Sequence, residues 1–236
     1  MIYEFAGMKI KADPSFDYFE NKCRSYLSDS EAYDFAVSVT PDALAREREA
    51  TPGFTDGYYE YVCMYREICR RLPEYGRMLI HSAVIAKGGD GFAFSAKSGV
   101  GKTTHILNWQ KTFDDVEIIN GDKPIYEFAK DGIYAYGTPW CGKEELGKNA
   151  SVRLKAFCFI KRAADNSVRR LKASDAVTPL LGQILIPRES AAASATLALC
   201  DRLLEKLPIY EVSCNMDPGS ARVAYEAIGK CGDGSL

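Results

Sequence analysis

The run Ser98-Gly99-Val100-Gly101-Lys102-Thr103-Thr104 gathers the residue types that a polyphosphate requires. Lys102 brings a cation and Thr103 a hydroxyl. Gly99 and Gly101 admit the positive φ angles with which a loop turns several backbone N–H groups toward one anion. With Ala96 as its first position, the stretch fits [AG]-x4-G-K-[ST], the relaxed P-loop pattern. By average residue frequencies, that pattern arises by chance in about 2% of chains this long. In such a loop Lys102 reaches the β- and γ-phosphates and the Thr103 hydroxyl ligates Mg²⁺. The N-terminus of the helix that follows adds partial positive charge.

Two further residues bear on the same chemistry. Ile118-Ile119-Asn120-Gly121-Asp122 reads as an apolar strand ending in a carboxylate, 19 residues after Thr103. A carboxylate there serves as metal ligand or as base for an attacking hydroxyl. His81 opens the strand leading toward the P-loop, and the sheet can bring it beside Asp122 as a proton-handling pair. Lys123 adds positive charge next to Asp122. The turn-rich stretch 137–143, with Thr138, Trp140 and Lys143, can close over a substrate. Cys141 lies in it, but no histidine follows it in the chain to activate a thiolate.

These residues need elements to hold them. Phe92 to Ala96 alternates as a strand, and the periodicity from Gly101 to Thr112 is helical. His81 to Lys87 reads as the strand before, turned back by Gly88-Gly89-Asp90-Gly91 into a hairpin that delivers the loop. Val116–Asn120, Ile125–Ala129, Ile133–Tyr136, Ala156–Lys161, Val168–Leu171 and Ile209–Cys214 read as strands. Ser174–Leu181, Ser190–Leu207 and a last helix with Asp217 as cap and Pro218 at its first position, ending at Gly229, complete this part. Upstream, Ile2–Phe5 and Met8–Lys11 read as a hairpin, Phe16–Leu27 as a helix and Tyr33–Val39 as a strand. Thr40 caps a short helix to about Glu49. A breaker cluster at 51–57 marks a boundary, followed by an amphipathic helix over 58–72. The expected organisation is an α+β appendage over 1–55 and a nucleotide-binding domain over 56–236.

The chain has 236 residues and a formal net charge of −2, with both signs interspersed. No basic stripe points to nucleic acid, and no apolar run reaches the 18 residues of a membrane span. The N-terminal residues show neither a basic region nor a long apolar run of the kind a signal peptide carries. Eight cysteines are scattered without a C-x-x-C pair, which suits reduced thiols in the cytoplasm. With only two histidines, a structural zinc site is not expected.

Taken together, His81-Ser82-Ala83-Val84, the hairpin, Ser98 to Thr103 and Asn120-Gly121-Asp122 resemble the HPr serine kinase/phosphorylase and ATP-dependent phosphoenolpyruvate carboxykinase superfamily, closest to its small HPr-kinase-like members. The resemblance covers roughly residues 75–215. It implies an α/β P-loop domain with a mixed sheet and β-hairpins, in which His81 matches the family histidine, Lys102 and Thr103 the P-loop pair, and Asp122 the second Asp of an Asp-Asp motif. Gly121 replaces the first Asp. The phosphorylase signature and the carboxykinase substrate motifs are absent; Ile186-Pro187-Arg188 only faintly echoes the basic loop. The implied activity is transfer of a phosphoryl group from ATP·Mg²⁺ to a hydroxyl, on a peptide or protein serine or a small alcohol. A nucleotide-binding partner protein without transfer is the alternative. The family's hexamers make homo-oligomerisation an expectation to test.

Overall fold

The computed structural model describes residues 1–229. The fold is mixed α/β. Its N-terminal layer begins with the hairpin of β1 (Ile2–Phe5) and β2 (Met8–Ala12). Ala6 and Gly7 both take left-handed φ angles, 52° and 72°, which matches the twist of a two-residue hairpin turn. Strand β3 (Phe35–Val37) runs parallel to β2. The expected strand over 33–39 shrinks to these three residues, and Tyr33 is exposed. The helix expected over 16–27 is α1 (Asp17–Cys23) followed by a 3-10 turn over Arg24–Tyr26. Thr40 caps α2 (Pro41–Ala50) by accepting the Ala43 N–H at 3.2 Å. Thr55 caps α3 (Asp56–Arg71) in the same way through the Tyr58 N–H. Helix α3, placed by sequence in the second unit, buries Tyr61, Met64 and Ile68 in one core with Tyr3, Phe5 and Phe19.

The larger sheet carries the site. Strands β4 (Arg77–Leu79), β5 (Ser82–Lys87) and β6 (Asp90–Ser95) lead into α4 (Lys102–Thr112). Then come β7 (Val116–Asn120), β8 (Ile125–Phe128), β9 (Ile133–Tyr136), β10 (Ser151–Arg162) and β11 (Ser167–Arg170). Helices α5 (Ala173–Leu181) and α6 (Ser190–Lys206), strand β12 (Ile209–Cys214) and helix α7 (Gly219–Ile228) follow. The order is β4-β8-β9-β10-β6-β5-β7, with β12 pairing β10 and β11 pairing β12. Strand β6 lies between antiparallel β5 and parallel β10. It is buried from Gly91 to Ser95, as a central strand covered on both faces must be. Strand β10 extends the expected 156–161 in both directions. Its first residues alternate in burial and pair with β9, a weaker signal than the apolar run that follows. Helix α7 begins at Gly219, one residue later than expected, with Pro218 rather than Asp217 in the capping position; the Asp217 carboxylate, one residue before it, accepts the Gly219 N–H at 2.7 Å.

Helix α4 is fixed to β6 by aromatic packing. Trp109 is fully buried, with its ring 5.4 Å from Phe92 and 5.5 Å from Phe94. Truncating a buried Trp to Ala costs about 3–5 kcal/mol. Its indole N–H donates to His105 Nε2 at 3.1 Å, which leaves His105 neutral, and burial pushes the His105 pKa down to about 4. The face of α4 that anchors it also sets the position of its first turn beneath the glycine loop. Among the described residues, no helix is long and apolar enough to cross a membrane.

Candidate functional site

The glycine loop leaves β6 at Ser95 and enters α4 at Lys102. Gly99 has φ 78° and Gly101 φ 115°, and a Cβ on either would point into open space. These glycines are there for backbone conformation, and among the described residues no atom beyond the adjoining residues stands within 4 Å of either Cβ position. Gly101 caps α4 without a side-chain cap, so among the described residues the N–H groups of the first turn, at Lys102, Thr103 and Thr104, have no side chain in the capping role. The first helical bond closes from His105 N–H to Gly101 O at 2.9 Å. Ser98 and Gly99 are exposed, and Thr103 and Thr104 are half-buried. An uncapped helix start under an open glycine loop fits a phosphate chain. The Thr103 hydroxyl and the Asp122 carboxylate are the oxygen ligands that would suit Mg²⁺, which prefers one or two protein oxygens beside substrate phosphates. Among the described residues, no three His, Cys, Asp or Glu side chains cluster to hold a metal by themselves.

Asp122 sits where the sheet brings three donors together. Strand β7 pairs antiparallel with β5, so the end of β7 meets the start of β5, where His81 lies. His81 Nε2 and Lys102 Nζ are each 3.0 Å from Asp122 Oδ1. Lys123 Nζ contacts Oδ2. Burial alone raises the Asp122 pKa, but hydrogen bonds from His81 and Lys123 and the charge of Lys102 outweigh it and hold the carboxyl well below its ordinary range. The stability this gives is present above the unfolded-state carboxylate pKa and is lost as pH falls through the depressed value. Lys102 is buried, which lowers its own pKa, and Asp122 partly restores it.

The turn holding Asp122 is built by Asn120. Its Oδ1 accepts the N–H groups of Asp122 at 2.9 Å and Lys123 at 2.8 Å, and its Nδ2 donates to Thr138. The 137–149 loop then covers the strand end. Gly121 donates its N–H to Leu146 O at 2.6 Å. A Cβ at 121 would lie 3.0 Å from Cys141 O and 3.1 Å from both Leu146 O and its Cβ. This is a physical reason for glycine where the resembled family has its first Asp. Gly121→Asp is therefore expected to cost about 1–3 kcal/mol from overpacking against backbone, measured as a lower urea midpoint, and to leave any activity unimproved.

Four contributors lie outside the glycine-loop motif. Glu144 is exposed on the covering loop, and its charge reaches Lys102. Its Oε2 lies 3.5 Å from the point where a Gly142 Cβ would stand, itself 3.3 Å from Asp122 Cβ. Gln183 Oε1 is 3.0 Å from His81 Nδ1, and the His81 N–H donates to Gln183 O at 2.8 Å. Arg162, at the end of β10, donates to the Val100 carbonyl at 2.8 Å and to that of Gly99. Trp140 ties the covering loop into the N-terminal core, 5.2 Å from Phe5 and 5.0 Å from Tyr65, while Tyr61 OH donates to Pro139 O at 3.1 Å. Of these, only Trp140 carried a sequence signal, as part of the 137–143 stretch read as able to close over a substrate; Glu144 lies just beyond that stretch. Among the described residues, the Arg162 side chain bonds to these two loop carbonyls, so Arg162→Ala is expected to speed hydrogen exchange at 98–101 and, if the loop holds a triphosphate, to weaken that binding about 10-fold, or 1.4 kcal/mol. Burial raises the Cys141 pKa, so its thiol is not an activated nucleophile.

No protein-family model matches the chain, and no curated protein matches it. Among solved structures, the HPr(Ser) kinase/phosphatase from Coxiella burnetii is similar with a TM-score of 0.38 and 7% identity, over 65% of this chain and 98% of that one.

Proposed function

We propose that this protein is a kinase that transfers the γ-phosphoryl group of ATP, with Mg²⁺, to the hydroxyl of a peptide or protein serine or of a small alcohol. The observation carrying this reading is the convergence of Lys102, His81 and Lys123 on the Asp122 carboxylate at the mouth of an uncapped glycine loop. In this reading residues 56–236 form the nucleotide-binding unit, and residues 1–55 support the covering loop through Trp140. The setting is cytoplasmic.

ATP·Mg²⁺, when bound, supplies the group to be transferred. The loop N–H groups and Lys102 would hold and neutralise its phosphates, and the Thr103 hydroxyl and the Asp122 carboxylate would hold Mg²⁺. Asp122 as it stands is a weak base, since three donors stabilise its charged form. Drawing Lys102 onto the phosphates removes one of them and raises the proton affinity of Asp122. The acceptor hydroxyl then gives its proton to Asp122 as its oxygen bonds to phosphorus. The bond to the β-phosphate oxygen breaks, and ADP leaves with the electron pair. His81, steadied by Gln183, orients the carboxylate and stabilises its charge. Such a site works chiefly by positioning and electrostatics.

The second reading, a nucleotide-binding partner protein, draws on Gly121, which supplies no second carboxylate beside Asp122. ADP release measured with and without a panel of serine peptides, free serine and small alcohols separates the two. The kinase reading expects release that rises with one acceptor class. Turnover independent of every acceptor would make the protein a plain ATPase.

A further inference from the structure

At the opposite end of β6 from the glycine loop lies a cavity of about 450 Å³. Asp90, the first residue of β6, lines it together with the β8–β9 turn, the start of β10 and the end of α6. The strand separates this cavity from the glycine loop by about 17 Å at ~3.3 Å per residue. Its wall carries five cationic side chains, Lys130, Arg153, Lys155, Arg202 and Lys206, against the two carboxylates of Asp90 and Asp131. That is an excess of three positive charges on a chain whose net charge is −2.

The two arginines are held in place. Arg153 donates to the Asp131 carbonyl at 2.6 Å, and Arg202 donates to the Ala129 carbonyl while lying over the Phe128 ring at 6.0 Å. Each thus uses part of its guanidinium to grip one side of the β8–β9 turn. A guanidinium has five N–H donors in a fixed fork, so among the described residues each retains donors for a ligand. Gly132 makes this possible: a Cβ there would stand 2.7 Å from Arg153 Nε. Lys155 is paired with Asp90 at 2.7 Å. Lys206 ends α6 and is exposed.

We infer that this cavity binds a small multivalent anion, of the phosphate or polycarboxylate type, clamped between Arg153 and Arg202. The volume suits a metabolite-sized ligand, and oriented arginine forks match oxyanion geometry. The inference stands independently of the kinase reading, because none of its residues belongs to the glycine loop or touches Asp122.

The test is an amide-shift NMR titration of the full chain with inorganic pyrophosphate and, separately, with citrate. Saturable shifts at Gly132 and Ile133 are expected with at least one of them, and the tighter of the two identifies the anion type. Gly99 and Gly101 report glycine-loop binding separately. Arg202→Gln and, on the exposed helix end, Lys206→Gln are each expected to weaken the hairpin site about 10-fold without moving the Gly99 and Gly101 response. Gly132→Ala should weaken it too, by displacing Arg153. Absence of saturable shifts at the hairpin with either anion, or equal affinity in both charge variants, would overturn the inference.

Discussion

Asp122→Asn is expected to lower acceptor-dependent phosphoryl transfer about 10²–10⁴-fold, the range typical of losing a positioned acid–base group. ATP binding should persist. Asparagine keeps the shape of the side chain, and the turn is held through backbone N–H groups that Asn120 accepts. It loses the charge on which His81, Lys102 and Lys123 converge. Lys102 is then no longer held by a carboxylate and is free for phosphate. Calorimetry with ATP in the absence of metal should show affinity equal to or better than wild type, while transfer is lost. If Asp122 acts only as a metal ligand, the same variant weakens ATP·Mg²⁺ binding in step with activity, and the base assignment fails.

The second large effect is expected at Lys102. A charge-assisted hydrogen bond contributes about 1.5–3 kcal/mol, so Lys102→Ala should weaken triphosphate binding about 10–100-fold. Transfer should fall further, by about 10³-fold, because the charge is needed most as the phosphoryl group moves. Folding should survive. Lys102 is buried at the first turn of α4, burial lowers its pKa, and Asp122 keeps His81 and Lys123 as partners. A thermal melt alongside the calorimetry separates lost binding from lost fold. Full-strength ATP binding by folded Lys102→Ala would contradict the assignment of the loop as the phosphate cradle.

The local geometry of the glycine loop was readable from sequence. Ser98 to Thr104 is one contiguous stretch whose glycines and lysine carry their own physical reasons, running from the loop after β6 into the first turn of α4. The approach of His81 to Asp122 followed from placing two strand ends at one edge of a sheet, and the antiparallel β5–β7 register puts them there. What stayed hidden depends on contacts between distant stretches. Nothing in the spacing around Arg162 says that β10 ends beside the glycine loop. Nothing around Phe5 says that it meets Trp140 and so steadies the cover over Gly121. Gln183 follows α5 in a connection whose sequence shows no periodicity, yet it holds His81 through both backbone and side chain. Helix α3 shows the same limit. Its apolar stripe predicted a buried face, but which core received that face was set by tertiary packing.

The proposed activity is transfer of the γ-phosphoryl group from ATP to a hydroxyl. The most direct measurement is ³¹P NMR of the purified chain with ATP and Mg²⁺, alone, with free serine and with a mixture of serine-containing peptides, beside Lys102→Ala. A new phosphomonoester resonance growing as ADP appears, only with an acceptor and only in the wild-type chain, is the predicted result. Tight, Lys102-dependent ATP binding with the γ-phosphate resonance unchanged under every condition would contradict phosphoryl transfer and leave a nucleotide-binding partner protein.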